Sequence, residues 1–161
     1  MRVAGQPFLL TARTAAQWIG AIAMDTQGLY GLVPGLVADE DLSIMEQLCD
    51  QHQDMSSRWF HAARTALGRA GGRDWWWCRN LTTHSLGAWA HINGMLLRQN
   101  VNVRQIGYAD WLDACYSMLW ANADEEHRIK LDLLLCTPPM GEPVPQSPRQ
   151  TRQMLAAFAA D

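Results

Sequence analysis

Between residues 75 and 99, apolar side chains recur at helical spacing, and this run constrains the fold more than any other part of the chain. The positions that share one helical face are Trp77, Leu81, Ser85, Ala88, Trp89, Ile92 and Leu96. Recurrence at i, i+3, i+4 and i+7 is typical of an amphipathic α-helix with one buried face. Asp74 precedes the run and suits the N-cap position. The sequence therefore predicts the longest helix of the protein over residues 75–99.

Similar periodicity predicts further helices on both sides of this one. They cover residues 15–24, 39–57, 58–70, 108–120 and 122–135, and residues 58–70 either continue the helix before them or form their own. Gly71 and Gly72 end the helix at residue 70, and Asn122 with Glu125 forms a capping-box pair for the last one. Residues 2–10 suit a short strand or an irregular lead-in. The prediction is a mainly α fold, a compact multi-helix domain of about five to six helices.

Prolines mark a boundary near the C-terminal end of the chain. Five of the seven prolines lie between Thr137 and Pro148. Such a stretch is typical of an extended linker. After it, residues 151–160 form a short amphipathic candidate in which Met154, Leu155 and Phe158 lie close together. We therefore divide the chain into a helical domain, residues 1–136, and residues 137–161, a Pro-rich linker with a short C-terminal helix.

Composition and charge narrow the class of protein. The chain of 161 residues is 48% hydrophobic and 18% charged, with a net charge of −3, which favours a folded domain and indicates neither nucleic acid nor a membrane. No apolar run is long enough to span a bilayer, and Arg13 interrupts the N-terminal one. The four cysteines are widely spaced and form no CxxC pair, which is typical of reduced, buried thiols. We expect a soluble intracellular protein.

The residues that usually carry catalysis or metal binding do not occur in suitable patterns. Cys49 and His52 form one tight pair, whereas a zinc site normally needs two such pairs. The glycines between Gly68 and Gly72 lack the Lys-Ser/Thr that follows in a phosphate loop. No nucleophile-elbow or HExxH motif is present. We expect no enzyme activity, no catalytic residues, no metal and no cofactor.

Three consecutive tryptophans, Trp75, Trp76 and Trp77, are the most distinctive local feature. Residues in succession sit about 100° apart on a helix, so three of them cover about 200° of its surface. A core-facing stripe is narrower than that. Either the start of this helix is deeply buried beneath the glycine-rich segment, or at least one ring contacts a partner or another subunit. On the second alternative these residues are candidate partner-binding residues, and Met154, Leu155 and Phe158 form a second candidate patch.

Charge is segregated along the chain. Residues 39–54 carry six acids and no base, and residues 58–104 carry seven arginines and one acid, Asp74. This polarity suits head-to-tail self-association or docking to a partner of matching polarity, and we expect a homo-oligomer. The alternative is two solvated helix faces that neutralise each other. The five arginines between Arg58 and Arg79 also suit nucleic acid, but no recognised binding motif accompanies them.

Several short blocks resemble a known family of bacteriophage proteins. They are Thr-Ala-Ala-Gln-Trp-Ile (residues 14–19), Leu-Val-Pro-Gly-Leu (32–36), Arg-Asp-Trp-Trp-Trp (73–77) and Tyr-Ala-Asp-Trp-Leu-Asp-Ala-Cys-Tyr (108–116), with a Pro-Pro-containing end at residues 137–141. Together they are similar to tail-assembly chaperones of actinobacteriophages with long non-contractile tails. The blocks are scattered over most of residues 1–141.

The resemblance implies a small helical protein that binds the tape-measure protein while the tail tube polymerises around it. It implies action in the host cytoplasm during virion morphogenesis, by protein–protein interaction and without catalytic residues. One alternative is a structural virion protein, such as a neck, connector or tail-tip component. Another is a small DNA- or metal-dependent regulator.

Overall fold

The computed structural model describes residues 2–3, 6–8, 14–23, 37, 41, 43–44, 47 and 55–139 of the chain. Among them, two short strands form an antiparallel pair, β1 (Arg2–Val3) and β2 (Gln6–Pro7). Six helices follow: α1 (Ala15–Ala23), α2 (Met55–Gly71), α3 (Trp75–Gly87), α4 (Trp89–Arg98), α5 (Tyr108–Ala121) and α6 (Glu125–Cys136). The predicted mainly α, compact multi-helix fold is confirmed. The predicted helix over residues 39–57 lies largely outside the described residues.

Helix α3 lies at the centre of the described fold and contacts each of the other five helices. Its predicted inward face is confirmed at Trp77, Leu81 and Ser85, which are all buried. Helix α5 supplies the facing side of the core, where Trp111, Leu112 and Cys115 have no exposed surface. Because α3 is covered by helices on several sides, the described core is organised around it.

The turn between α2 and α3 depends on two glycines, as predicted. Gly72 has a φ of 65°, in the left-handed region that glycine adopts without steric cost. The backbone N–H of Arg73 donates to the carbonyl of Gly68 at 3.2 Å, which is the longer bond of a Schellman motif. Gly71 ends α2 where a Cβ would overlap Cys78 Sγ and lie 2.9 Å from Leu112 Cδ1. The missing side chain lets α2 approach α3 and α5 closely.

The loop between α4 and α5 caps the first turn of α1. The backbone N–H of Ala15 donates to the carbonyl of Ile106, and that of Ala16 to Val103, both at 3.1 Å. These N–H groups have no partner within the helix, so the loop carbonyls satisfy them. Gln17 Oε1 in turn accepts from the backbone N–H of Thr14 at 3.0 Å. The N-terminal helix is therefore tied to a loop about 90 residues further along the chain.

One helix predicted over residues 75–99 proves to be two. Helix α3 ends at Gly87, Ala88 lies between the helices with φ −114° and ψ 23°, and α4 begins at Trp89. Glycine is a poor helix former, which lowers the cost of a break at this point. The residues of the predicted apolar face nevertheless stay on the core side, since Ile92 and Leu96 are buried in α4. The break changes the direction of α4, and the apolar face of α4 still points to the core.

The predicted capping pair of the last helix is also wrong. Asp124, not Asn122, is the N-cap of α6, and its Oδ1 accepts from the backbone N–H of His127 at 2.9 Å. Asn122 instead ends α5, where its Nδ2 donates to the carbonyl of Met118 at 2.7 Å. Asn122 and Asp124 are both good capping residues. Asn122 caps the C-terminal end of α5, and Asp124 caps the N-terminal end of α6.

A buried polar network fixes α3 against α5. Thr82 Oγ1 lies 2.7 Å from the Tyr108 hydroxyl and donates to the carbonyl of Cys78 at 2.8 Å. Burial raises the pKa of the Cys78 and Cys115 thiols to about 12, so both remain protonated at neutral pH. The prediction of buried thiols is confirmed at these two positions, whereas Cys136 is exposed.

Candidate protein-binding groove

A partly open groove of about 680 Å³ lies between α4, α5 and α6 and extends to the end of α3. Pockets that bind ligands have volumes of roughly 300–1,000 Å³. The break at Ala88 contributes to its shape, because it lets α4 leave the direction of α3. The lining residues are His84, His91, Ile92, Met95, Met118, Leu119, Asn122, Ala123, Asp124, His127, Lys130, Leu131 and Leu134.

The lining of this groove is mainly apolar. Ile92 and Leu131 are buried at its base, Met95 and Met118 are half-buried, and Leu134 on α6 is 43% exposed. Methionine has a flexible, polarizable side chain that adapts to different apolar partners. A concave apolar surface with two methionines is therefore suited to an apolar side chain stripe of another helix.

Hydrogen bonds hold α6, which forms one wall of the groove. The Tyr116 hydroxyl donates to Asp132 Oδ1 at 3.1 Å, and Asn80 Nδ2 donates to the carbonyl of Leu134 at 2.9 Å. Arg128 Nε donates to the carbonyl of Trp120, near the end of α5, at 3.0 Å. Burial, with the Asp132 carboxylate as a second cause, raises the pKa of Tyr116 to about 12. The phenol therefore keeps the proton it donates at neutral pH.

The beginning of α6 forms a polar end of the groove. Asp124 accepts from both the backbone N–H of His127 and its ring Nδ1, at 2.9 and 2.7 Å. The backbone hydrogen bond, followed by the ring, holds the pKa of Asp124 below its usual range. Glu126 pairs with Lys130 at 2.6 Å on the exposed side of the helix. Of these acids only Asp124 lines the groove, where it lies beside His127 and Lys130.

Helix α6 also carries apolar residues that face away from the core. Ile129 is 55% exposed and Leu133 is 61% exposed, although Leu131 and Leu135 on the same helix are buried. Residues four apart share a helical face, so Ile129 and Leu133 form one outward apolar strip. Leu134 lies about 100° from Leu133 and lines the groove instead. The helix therefore presents two distinct apolar surfaces.

The three consecutive tryptophans lie mostly inside the fold. Trp76 is 6% exposed and Trp77 is 9% exposed, so neither offers much surface to a partner. Trp75 is half-buried and packs edge-on against Phe60, with ring centroids 6.3 Å apart. The Arg64 guanidinium lies 4.3 Å from the centre of the Trp75 ring. Contacts with α2 and α5 thus cover much of the three tryptophans. That these residues bind a partner stays a prediction, and it concerns mainly Trp75.

The second predicted patch, Met154, Leu155 and Phe158, lies outside the described residues. Cys49 and His52, the one tight pair of candidate metal ligands, also lie outside the described residues. Within the described part of the chain, no group of three or more His, Cys, Asp or Glu side chains is placed to hold a metal ion.

The groove itself was not predicted from the sequence. It is assembled from four helices and one turn, and each contributes only one to four lining residues. The available signal was an excess of apolar residues on α6, where Ile129, Leu131, Leu133, Leu134 and Leu135 exceed what one buried face can hold.

Comparisons with protein-family models, curated proteins and solved structures found no match to this chain. None of the helices in the described residues has the length and apolar character needed to cross a membrane.

Proposed function

We propose that this protein is a non-enzymatic tail-assembly factor of a bacteriophage, which binds an amphipathic helix of the tape-measure protein or of another tail protein. The observation that carries the proposal is the apolar groove between α4, α5 and α6, with Met95, Met118 and Leu134 in its lining. The resemblance to tail-assembly chaperones supplies the biological setting, and the groove supplies a surface for the interaction.

The groove has the properties that binding to a tape-measure protein would need. A tape-measure protein is long and helical, and its apolar stripes need cover until the tail tube surrounds them. Helices bind in apolar grooves through side chains spaced at i, i+3, i+4 and i+7. Met95 and Met118 allow one groove to accept successive stripes of different shape. The protein would then act in the host cytoplasm, before the tail is complete.

A second apolar surface favours self-association. Ile129 and Leu133 are exposed on the outward face of α6, next to the groove but separate from it. Exposed apolar strips of this kind mark protein contacts more often than isolated residues do. Copies joined through this face would present several grooves along one extended partner, which raises the overall affinity by multivalency.

A matched pair of substitutions on α6 tests the groove. Leu134→Asp places a charge in the groove, and Leu133→Asp places the same charge on the neighbouring outward position. Both positions are exposed, so both variants are expected to fold. Tagged wild-type chain should retain the tape-measure protein from lysate of the infected host, as identified by mass spectrometry. Leu134→Asp should weaken this binding at least about tenfold, since a charge in a desolvated contact is costly. Leu133→Asp leaves the groove lining unchanged and acts only through self-association, so it should weaken the binding less.

Mass spectrometry of purified virions distinguishes the chaperone from a structural component. Absence of this chain from virions, with capture of the tape-measure protein, supports transient assembly. A fixed copy number in virions would instead assign it to the neck, connector or tail tip. Equal retention of the tape-measure protein by the Leu134→Asp and Leu133→Asp variants would exclude the groove as the contact. Salt-sensitive DNA binding by the purified chain would favour a regulator.

A further inference from the structure

We infer that the helix that binds the groove belongs to another protein and is acidic along one flank of its apolar stripe, and that this flank faces α3 and α4. The inference rests on the proposed function in treating the groove as a surface that binds an amphipathic helix. It adds the charge pattern by which the groove selects among such helices, and it does not depend on the partner being a tail protein.

One side of the groove carries basic residues without any acid. Helices α3 and α4 contain no Asp or Glu from Trp75 to Arg98. His84 and His91 line the groove on this side, and both are exposed. Arg98 is exposed as well, and it follows His91 at i+7 and Met95 at i+3, so it lies on the same face of α4, one turn beyond the lining. We call His84, His91 and Arg98 the basic rim.

The basic rim has unused hydrogen-bonding capacity. Arg98 Nε donates to the carbonyl of Gly94 in its own helix, at 3.3 Å. In the part of the chain that the structure describes, neither the Arg98 guanidinium nor the ring of His84 or His91 forms an ion pair. An imidazole N–H and a guanidinium both donate to carboxylates, and such bonds are stronger than those between neutral groups. The basic rim is therefore suited to carboxylates of a bound partner.

The opposite wall differs, because α6 pairs its own charges. His127 Nδ1 lies 2.7 Å from Asp124 Oδ1, and Lys130 Nζ donates to Glu126 Oε1 at 2.6 Å. Among the described lining residues Asp124 is the one acid, and it is already paired. Acids of a bound helix therefore meet unpaired basic groups on the side of α3 and α4. This asymmetry between the two walls determines which flank of the bound helix is acidic.

Such charge complementarity decides between partners more than it adds affinity. The apolar lining contacts the stripe of any amphipathic helix of matching shape, whereas the basic rim favours one charge pattern and disfavours the opposite one. Each exposed ion pair contributes little by itself. Three pairs formed together are expected to change the affinity about tenfold.

The test uses the full chain and three synthetic helical peptides, with binding followed by fluorescence anisotropy. The peptides are fluorescein-labelled, equal in length and hydrocarbon-stapled to equal helicity, and they share a leucine stripe at i, i+3, i+4 and i+7. Three positions on one flank of the stripe carry Glu, Gln or Lys. The Glu peptide should bind about tenfold more tightly than the Gln peptide, and the Lys peptide should bind more weakly than both. The differences should shrink in about 1 M NaCl, where the Debye length is about 3 Å.

A variant of the basic rim identifies the residues responsible. In this rim variant His84→Gln, His91→Gln and Arg98→Gln are combined, and because all three side chains are exposed the protein is expected to fold. The rim variant should bind the Glu and Gln peptides equally, while its affinity for the Gln peptide stays close to that of the wild type. A loss of affinity for both peptides alike would show that these residues do not read charge, and it would overturn the inference.

The matched control removes basic residues from another exposed surface. Arg58→Gln, His61→Gln and Arg69→Gln are combined on α2, which contributes no residue to the described groove lining. This control lowers the positive charge of the chain at least as much as the rim variant does, and it should keep the full preference for the Glu peptide. The same loss of preference in the control would assign the effect to net charge and overturn the inference.

The remaining outcomes separate this inference from the proposed function. Equal binding of the Glu and Gln peptides by the wild type, abolished for both by Leu134→Asp, would overturn the inference and leave the groove as a helix-binding site. Binding of no peptide would also overturn it, while capture of the tape-measure protein by wild type and Leu134→Asp tests the proposed function separately. A dimer in analytical ultracentrifugation that the Glu peptide dissociates would place a second copy of this chain in the groove instead of another protein.

Discussion

A methyl group at Gly71 has no space in this fold, because α2 lies close to α3 and α5 at that residue. A Cβ built there overlaps Cys78 Sγ and lies 2.9 Å from Leu112 Cδ1. Cys78 and Leu112 have no exposed surface, so both are enclosed by other side chains and cannot swing into solvent. Gly71→Ala must therefore displace one helix or strain the core.

The size of the effect follows from two opposing terms. Overpacking a well-packed core costs about 1–3 kcal/mol. Alanine is a better helix former than glycine by up to about 1 kcal/mol in a helix interior, but Gly71 is the last residue of α2 and gains less. We expect a net loss of about 2 kcal/mol in the free energy of unfolding. For a domain of this size each kcal/mol shifts Tm by about 2–4 °C, so Tm should fall by about 4–8 °C.

The assay is urea and thermal unfolding followed by circular dichroism, with Gly94→Ala as the matched control. Gly94 lies inside α4, and a Cβ there meets no atom within 4 Å. The same substitution should therefore stabilise the protein by about 0.5–1 kcal/mol through helix propensity alone. The two variants differ chiefly in the space available to the new methyl group, so opposite signs are expected.

A Gly71→Ala variant as stable as the wild type would refute the close approach of α2. A further check combines it with Cys78→Ala, which removes the sulfur that the new methyl would overlap. The cost of Gly71→Ala should be smaller in that background, and the difference gives the coupling between the two sites. Equal costs in both backgrounds would show that the contact with Cys78 is not the cause.

Two smaller perturbations test the buried network and the cap of α6. Thr82→Val removes a buried hydroxyl that lies 2.7 Å from the Tyr108 hydroxyl, and it should lower the free energy of unfolding by about 1–3 kcal/mol; the exposed control Thr83→Val should change it by less than about 0.5 kcal/mol. The lowered pKa of Asp124 implies stabilisation that is present above the usual aspartate pKa of about 3.9 and lost as pH falls through the lowered value. Asp124→Ala should therefore have a lower free energy of unfolding than the wild type at pH 7, and this difference should close in acid. Asp124→Asn should keep the hydrogen bond from His127 without this pH dependence. A difference between Asp124→Ala and the wild type that is constant with pH would contradict the reasoning.

Helical periodicity predicted the elements of this fold well, but the ends of helices depended on tertiary contacts. The run over residues 75–99 contains two glycines, Gly87 and Gly94, of which only the first adjoins a break. Local propensity is equal at the two positions, so the pattern alone does not select one. Similarly, Asn122 and Asp124 are both good N-caps. The choice between them depended on where α5 ends.

The candidate site was less accessible to prediction than the fold. Ile92, Met118 and Leu134 come from three different helices, and their convergence requires the angle between α4 and α6. Sequence analysis drew attention to the tryptophans instead, because a run of Trp75, Trp76 and Trp77 exceeds one helical face. In the structure the start of α3 packs over a broad face, since Trp76 and Trp77 are both buried and other helices contact α3 on several sides.

The central position of α3 has a consequence for how the domain opens. Every other described helix packs on α3, and the remaining helix contacts in the core are chiefly those of α5 with α1 and α2. Partial unfolding that detaches α3 would therefore disrupt the whole described core. Partial unfolding of any other single helix would leave α3 covered by the rest. The slowest amide hydrogens should belong to α3 and exchange only through global unfolding, while the ends of α6 exchange by local fraying. The domain should thus behave as one cooperative unit with its kinetic protection concentrated in a single 13-residue helix.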